Sequence, residues 1–251
     1  MSFLVVIPAR HDSTRLPGKM LIDIAGKPMV LHVVERARES AAEDVVVATD
    51  HVDIESALSA HGVRTLLTSA AHASGTDRLA EAVAKLKLAD DDVVVNIQGD
   101  EPLIDPALVD AVAETLLANP QASLATAARP MIRAADFFNP NFVKVVCDAS
   151  GMALYFSRAP IPFARDAFSG PAPSLPANFS ALHHIGIYAY RAGFLKRFCG
   201  LPQSPAEKFE ALEQLRALHH GYRIAVKLWE RPLEAGVDTP EDLERVRGKF
   251  L

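Results

Sequence analysis

The chain has 251 residues, 49% of them hydrophobic, with 26 Lys plus Arg against 31 Asp plus Glu for a net charge of −5. That is enough core for one large α/β domain or a domain with a subdomain, and the acidic balance argues against a nucleic-acid binder. Two cysteines, Cys147 and Cys199, in no metal-ligand spacing argue against a disulfide framework, and no apolar run approaches the ~20 residues a bilayer requires.

Phe3 to Ile7 is an uninterrupted apolar run and reads as a buried parallel strand. Pro8 ends it, and the loop to Lys19 carries Arg10, Arg15 and Lys19 with Ser13, Thr14 and Gly18. Three cations with small residues after a core strand suit a polyphosphate, since guanidinium and ammonium neutralise charge while backbone N–H groups approach the oxygens. The spacing matches neither the Walker loop nor the dinucleotide glycine pattern. Next come a helix at Pro28–Glu39, a strand at Val45–Ala48, a helix at Val52–His61 and a strand at Val63–Leu67. A helix at Thr76–Lys87 and a strand at Val93–Ile97 follow, and Asp105 then caps a helix that starts at Pro106. This alternation implies a mostly parallel sheet with helices on both faces, whose ligands bind beyond the carboxyl ends of the strands.

The rhythm breaks after Ala128. Residues 129–190 hold strand pieces at Val143–Cys147, Leu154–Phe156 and Ile185–Tyr190 around a long loop, Pro160 to Pro176, and read as an antiparallel β-rich insertion. Residues 191–251 complete the domain begun by 1–128, with a helix at Pro205–His219, a strand at Ile224–Trp229 and a last helix that Thr239 and Asp242 start around Pro240.

Asp100 follows a core strand through Gly99 and emerges at the ligand edge beside Gln98; Asp238 precedes the last helix after Gly236. Two hard oxygen ligands facing a phosphate loop suggest Mg²⁺ shared with substrate phosphates, although Asp238 fits an extra helix cap equally well. Ser74-Gly75-Thr76-Asp77-Arg78 opens a helix, and taken alone is a plain N-cap. Arg158 suits a carboxylate or a surface salt bridge, while Glu210 and Glu213, three apart, fit one solvated helix face. Lys144 and Lys196 read as solvated. His183 and His184 are adjacent on a strand and point to opposite faces, so they do not jointly chelate one ion.

Several motifs carry a resemblance: P-A-R-x-x-S-T-R-L-P-G-K at 8–19, V-A-T-D at Val47–Asp50, S-G-T-D-R at Ser74–Arg78 and V-N-I-Q-G-D-E-P at Val95–Pro102. It continues through Phe138–Val146, Ala153–Pro162, His184–Arg191, Leu212–Arg216 and Gly236–Leu243. In order, over nearly the whole chain, these resemble the 3-deoxy-manno-octulosonate (Kdo) cytidylyltransferases. The resemblance implies a nucleotide-diphospho-sugar transferase-like fold. It also implies transfer of CMP from CTP to the anomeric 2-hydroxyl of Kdo, with Mg²⁺ as cofactor, for lipopolysaccharide synthesis.

The same resemblance gives Arg10, Ser13, Arg15 and Lys19 to the phosphates, and Pro8, Ala9, Ser74, Gly75, Arg78 and Gln98 to the cytosine. It gives Gln98, Arg158, His184, Tyr188, Glu210, Glu213 and Gln214 to the sugar acid, Asp100 and Asp238 to the metal, and a catalytic part to Arg15, Lys19 and Asp100. A homodimer formed through the insertion, where Phe156, Ile161 and Phe163 lie beyond the main sheet, is expected, as is a cytoplasmic location. The chain also departs from the family pattern. His11-Asp12 puts a negative charge beside the phosphate loop, His183 and His219 stand where a basic residue and an aromatic are usual, and Ala206 replaces a larger apolar residue.

Overall fold

The computed structural model describes residues 2–13, 16–169 and 174–250. The chain runs β1 (Leu4–Ala9), a 3-10 turn (Lys19–Leu21), β2 (Asp23–Ile24), β3 (Lys27–Pro28), α1 (Met29–Arg38) and β4 (Asp44–Thr49). Then come α2 (Val52–Ser59), β5 (Arg64–Leu67), α3 (Gly75–Lys85), β6 (Val93–Asn96) and α4 (Pro106–Leu117). It continues through β7 (Leu124–Pro130), α5 (Ala134–Phe138), β8 (Lys144–Cys147), β9 (Ala153–Ser157) and β10 (Leu182–Arg191). Last are α6 (Ala192–Phe198), α7 (Pro205–Glu210), α8 (Gln214–His219), β11 (Ile224–Leu228) and α9 (Pro240–Arg247).

The chain packs as two units: Met1–Glu114, Ile187–Cys199 and Pro232–Leu251 in the first, Thr115–Gly186 and Gly200–Arg231 in the second. In the first, β1 is central. It pairs in parallel with β4 over Leu4↔Asp44 to Ala9↔Thr49 and with β6 over Leu4↔Val94 to Val6↔Asn96, and β4 pairs in parallel with β5. The end of β10 closes this sheet antiparallel to β6, Tyr188 opposite Asn96. A strand flanked on both sides by other strands and covered by helices has no wet face, which is why Val5, Val6 and Ile7 are all apolar and fully buried. Parallel pairing puts the carboxyl ends of β1, β4 and β6 at one edge, so the loops after Ala9, Thr49 and Asn96 emerge together.

Near α9, Thr239 accepts from the N–H of Asp242, and the Asp242 carboxylate accepts from the N–H of Thr239 in return. This capping box provides the cap at that helix start, leaving the Asp238 carboxylate for other work. Val237, Leu243 and Val246 pack with Ile24 and Met29 in one apolar cluster and so anchor Asp238 from behind.

In the second unit, β11 and β7 pair in parallel, β7 neighbours the first half of β10, and β8 runs antiparallel to both β10 and β9. Phe137, Phe168, Met131 and Ala181 form a buried cluster against which Phe138, Phe142 and Phe179 pack, pinning both ends of the long loop after Pro160.

Three expectations are corrected here. The helix expected over Pro205–His219 is two helices, broken at Ala211 in a left-handed conformation with φ 50°. The Glu210 carbonyl, which a continuous helix would use, instead accepts from Arg158 Nε at 2.7 Å. Phe156, expected beyond the sheet, is fully buried with its ring edge-on to His184. Lys144, read as solvated, is completely buried, because three carbonyls of the surrounding loops, Asn139, Phe142 and Arg158, accept from its ammonium. Lys196 does meet solvent, and it holds the Asp90 carboxylate and the Leu88 carbonyl.

Candidate active site

At the carboxyl edge of the first unit's sheet lies a cavity of about 360 Å³, within the range of small-ligand sites. It is built where the end of β1, the start of α3, the end of β6 and the segment before α9 meet. Of the residues assigned by resemblance to the nucleotide, Pro8, Arg10, Ser13, Lys19, Ser74, Gly75, Arg78 and Gln98 line it, and so do Asp100 and Asp238. Ala9 is buried at the strand end and does not line it. Arg15 and Thr14 lie outside the described residues. His72, Ala73, Met20 and Gly99 also line the cavity, although the motifs did not point to them.

The densest charge is at the floor. Lys19 Nζ donates to Asp100 Oδ2 at 2.5 Å, to the Val237 carbonyl at 3.0 Å and to Asp238 Oδ1 at 3.3 Å. Two aspartates 138 positions apart (238 − 100) thus converge on one nitrogen, which only the pairing of their segments can achieve. The N–H of Val237 donates to the Asp100 carbonyl at 2.8 Å, and a Cβ on Gly236 would stand 3.0 Å from that same oxygen. Gly236 therefore permits this close approach, and a larger residue there would crowd the Asp100 carbonyl and require it to shift by a few tenths of an ångström. Gly99 has the same duty on the other side, where a Cβ would meet Met20 Sδ at 2.8 Å and the Pro8 carbonyl at 3.1 Å.

Lys19 itself is 7% exposed, a buried cation rather than a solvated one. The Asp100 and Asp238 side chains remain 26% and 50% exposed toward the cavity. Glu101, next in the chain, is pushed up to about 7 by burial and then by the Asp100 charge. Oxygens of Asp100, Asp238 and Val237 gathered round one cationic nitrogen are a hard donor set, and they fit Mg²⁺.

The α3 side is organised by hydrogen bonds. Ser74 caps α3 by accepting from the Asp77 N–H at 3.1 Å, and Asp77 returns the bond to the Ser74 N–H at 3.2 Å. The cap fixes the helix start at the cavity wall, and it engages the Ser74 hydroxyl that the resemblance gives to the nucleotide. His72 is held by a short contact from Nε2 to Glu81, which also accepts from the Ser69 N–H and pairs with Lys85. Those bonds outweigh the cost of burial and hold the Glu81 carboxyl down at about 2.

The outer loop turns Asp12 away. Its side chain is fully exposed, 3.4 Å from His11 Nδ1, and does not line the cavity. The His11 ring stacks on His51 at 4.0 Å, and with Asp53 these form a group whose ligand atoms lie within 4.8 Å of one another. Near-parallel rings send their lone pairs side by side rather than toward one ion, so this arrangement is a stack rather than a chelate.

In the second unit, Arg158 and Glu210 are found together. Glu210 accepts from the Ser157 hydroxyl at 2.5 Å and the Arg158 N–H at 2.8 Å, and Arg158 Nη1 donates to the Pro140 carbonyl at 3.1 Å. Both side chains are thus tied into the turn after β9. His184 Nε2 lies 3.0 Å from the Thr126 hydroxyl, and burial, then the neighbouring His183, brings its imidazole down to about 3. His183 faces Arg129 instead and is brought down to about 4, mainly by burial, so the two rings do point to opposite sides. Glu213 and Gln214 begin α8, beyond the break at Ala211, so Glu210 and Glu213 do not share a helix face. Tyr188 belongs to the first unit, stacked on Tyr190 at 5.6 Å. His219 is exposed, ring edge to His220.

The model of the family described as Cytidylyltransferase matches residues 4–224. A protein of Acidovorax sp. (strain JS42) named 3-deoxy-manno-octulosonate cytidylyltransferase is 60% identical over 251 residues, covering 98% of this chain and 96% of its own. One of the same name from Verminephrobacter eiseniae (strain EF01-2) is 58% identical over 257 residues, covering 99% and 94%. Among solved structures, a CMP:2-keto-3-deoxy-manno-octonic acid synthetase complexed with CTP superposes with a TM-score of 0.89 at 42% identity, covering 99% of this chain and 98% of that one. A 4-diphosphocytidyl-2C-methyl-D-erythritol synthase, at 15% identity and a TM-score of 0.64, shares the fold alone.

Proposed function

We propose a reaction for this chain from one premise: it belongs to the 3-deoxy-manno-octulosonate cytidylyltransferase family. The chain transfers CMP from CTP to the anomeric 2-hydroxyl of Kdo, releasing pyrophosphate. One observation in the fold carries this reading. A cavity of nucleotide size joins Arg10, Ser13 and Lys19 of the cationic loop to two carboxylates that share one ammonium.

Phosphoryl transfer of this kind needs positioning and charge neutralisation more than covalent help. Lys19 is held rigidly by three oxygens and is a fixed positive charge at the floor. Arg10 and Ser13 line the cavity, where phosphate oxygens would meet them, and Arg15 keeps its assignment to the phosphates from the resemblance alone. Pro8, Gly75, Arg78 and Gln98 supply the wall on which cytosine would be read. Asp100 and Asp238 would hold Mg²⁺, which when bound supplies further neutralisation of phosphate charge. Arg158, His184, Tyr188, Glu210, Glu213 and Gln214 keep their assignment to the sugar acid.

We also propose a cytoplasmic homodimer. No helix among the described residues is long and apolar enough to cross a membrane. The second unit exposes Ile132, Phe163 and Phe209 at 88%, 61% and 92%, which a second copy would cover. Light scattering that finds only monomer mass at micromolar concentration contradicts the dimer. The reaction is tested by a pyrophosphate-release screen of CTP, UTP and ATP against Kdo, 8-amino Kdo and N-acetylneuraminate. The CTP and Kdo pair should be fastest; a faster pair of any other composition overturns the substrate assignment.

A further inference from the structure

Asp50 ends the V-A-T-D segment, one residue past the last residue of β4, and no role in the proposed reaction rests on it so far. Its side chain is 13% exposed, and its two oxygens face opposite ways. Oδ1 accepts from the backbone N–H of His11 at 2.9 Å, in the loop that leaves β1. Oδ2 accepts from Arg78 Nη2 at 2.7 Å, in the first turns of α3. One carboxylate thus fastens the two walls of the cavity to the strand end between them. Arg78 is 4% exposed, and its other terminal nitrogen donates to the Thr68 hydroxyl and the Ser69 carbonyl. Thr68 in turn is fixed to β4 by two bonds to the Thr49 carbonyl, from its own N–H at 2.8 Å and its hydroxyl at 3.0 Å.

The Arg78 guanidinium therefore has three anchors on the β4–β5 side while it lines the cavity. A planar fork held on one side presents its remaining donors in one direction, which a recognition group needs and a flexible arginine lacks. The bond to His11 is made by the backbone, so it survives the unusual side chain at that position. Both of Asp50's partners are donors, and only an acceptor-only group satisfies both. Asparagine offers one oxygen and one NH₂, so whichever way it turns, a donor meets a donor.

We propose that Asp50 is a positioning residue for nucleotide recognition: it sets Arg78 and the start of the phosphate loop in register with each other. The inference rests on the reading of this cavity as the CTP site.

The test is titration calorimetry of CTP into the full-length wild type and Asp50→Asn, with steady-state kinetics beside it. The expected result is a dissociation constant and a KM raised about 10- to 100-fold. The number of sites should stay near that of the wild type, and kcat should stay within about threefold, since the bonds of Asp50 go to His11 and Arg78. A purely structural role gives the opposite pattern: fewer competent sites, lower melting temperature, and unchanged affinity in those that remain. That pattern, or an affinity within twofold of wild type, overturns the proposal. If wild type itself fails to bind CTP, the nucleotide reading falls, and the assignment of Asp50 falls with it.

Discussion

Lys19 in the first unit and Lys144 in the second are both buried lysines, and each ammonium meets three oxygens. Around Lys144 all three are backbone carbonyls of neighbouring loops, so a single charge is solvated by dipoles, and among the described residues no carboxylate pairs with it. Burial pulls that ammonium below the ordinary lysine range; the Glu210 charge opposes the shift and Arg158 adds to it. Around Lys19 two of the three oxygens are carboxylates, both partly open to the cavity. One positive charge shared by two negative ones leaves a local excess of acceptor oxygen, and that excess faces outward. A satisfied buried charge holds a fold together, whereas an unbalanced one at a cavity floor awaits a ligand.

If that contrast holds, exchanging each lysine for methionine should have separable effects. Lys19→Met removes the fixed charge proposed to act on the phosphates, so turnover should fall by about 10²- to 10³-fold with secondary structure retained. A Lys19→Met enzyme within threefold of wild-type kcat breaks the comparison outright. Lys144→Met leaves three buried carbonyls without their donor, for a loss of about 2–3 kcal/mol. Denaturant midpoints should register that loss, while the folded fraction turns over normally. A stable but inactive Lys144→Met enzyme would show that the two lysines had been assigned the wrong way round.

A smaller effect sharpens the contrast by pH. His183 and His184, both in the second unit, are brought down to about 4 and about 3 in the fold from the ordinary 6.5. The unfolded chain takes up their protons first, so their contribution is complete above about pH 6.5 and is lost as pH falls toward the folded values. Melting temperature should therefore decline between pH 6.5 and 4, and His183→Gln with His184→Gln should roughly halve that slope. An unchanged slope in the double variant would place the acid sensitivity elsewhere.

Much of the first unit was legible because its signals are local. An apolar run, a proline stop and a cationic loop occupy 17 consecutive residues from Phe3 to Lys19, and Thr239 with Asp242 announces the last helix three residues apart. The convergence of Asp100 and Asp238 was legible as chemistry and not as distance, since the approach depends on what Gly236 lets Asp100 do. Lys144 was not legible at all. It sits in F-V-K-V-V, an ordinary edge-strand pattern, and what buries it are carbonyls, which every residue has. Ala211 was missed for a similar reason. Its left-handed turn goes with a bond from Arg158, 52 residues away, to the Glu210 carbonyl, while the sequence around it favours a continuous helix. Asp50 was visible as part of a motif, but its two donors are 39 and 28 residues distant.

Whether Asp100 and Asp238 act as one unit on one cation is answered by a double-mutant cycle in Mg²⁺. Asp100→Asn and Asp238→Asn should each fold normally, require much more Mg²⁺ for half-maximal rate, and lose turnover by similar factors. The double variant should cost much less than the product of the single losses, because removing either ligand already breaks the unit. Thr239→Ala is the control. As the helix cap it should lose about 1 kcal/mol of stability and leave the Mg²⁺ requirement where it was. If Asp238→Asn instead behaves like Thr239→Ala, with a lower melting temperature and unchanged Mg²⁺ dependence, Asp238 belongs to the helix and the two-carboxylate site is contradicted.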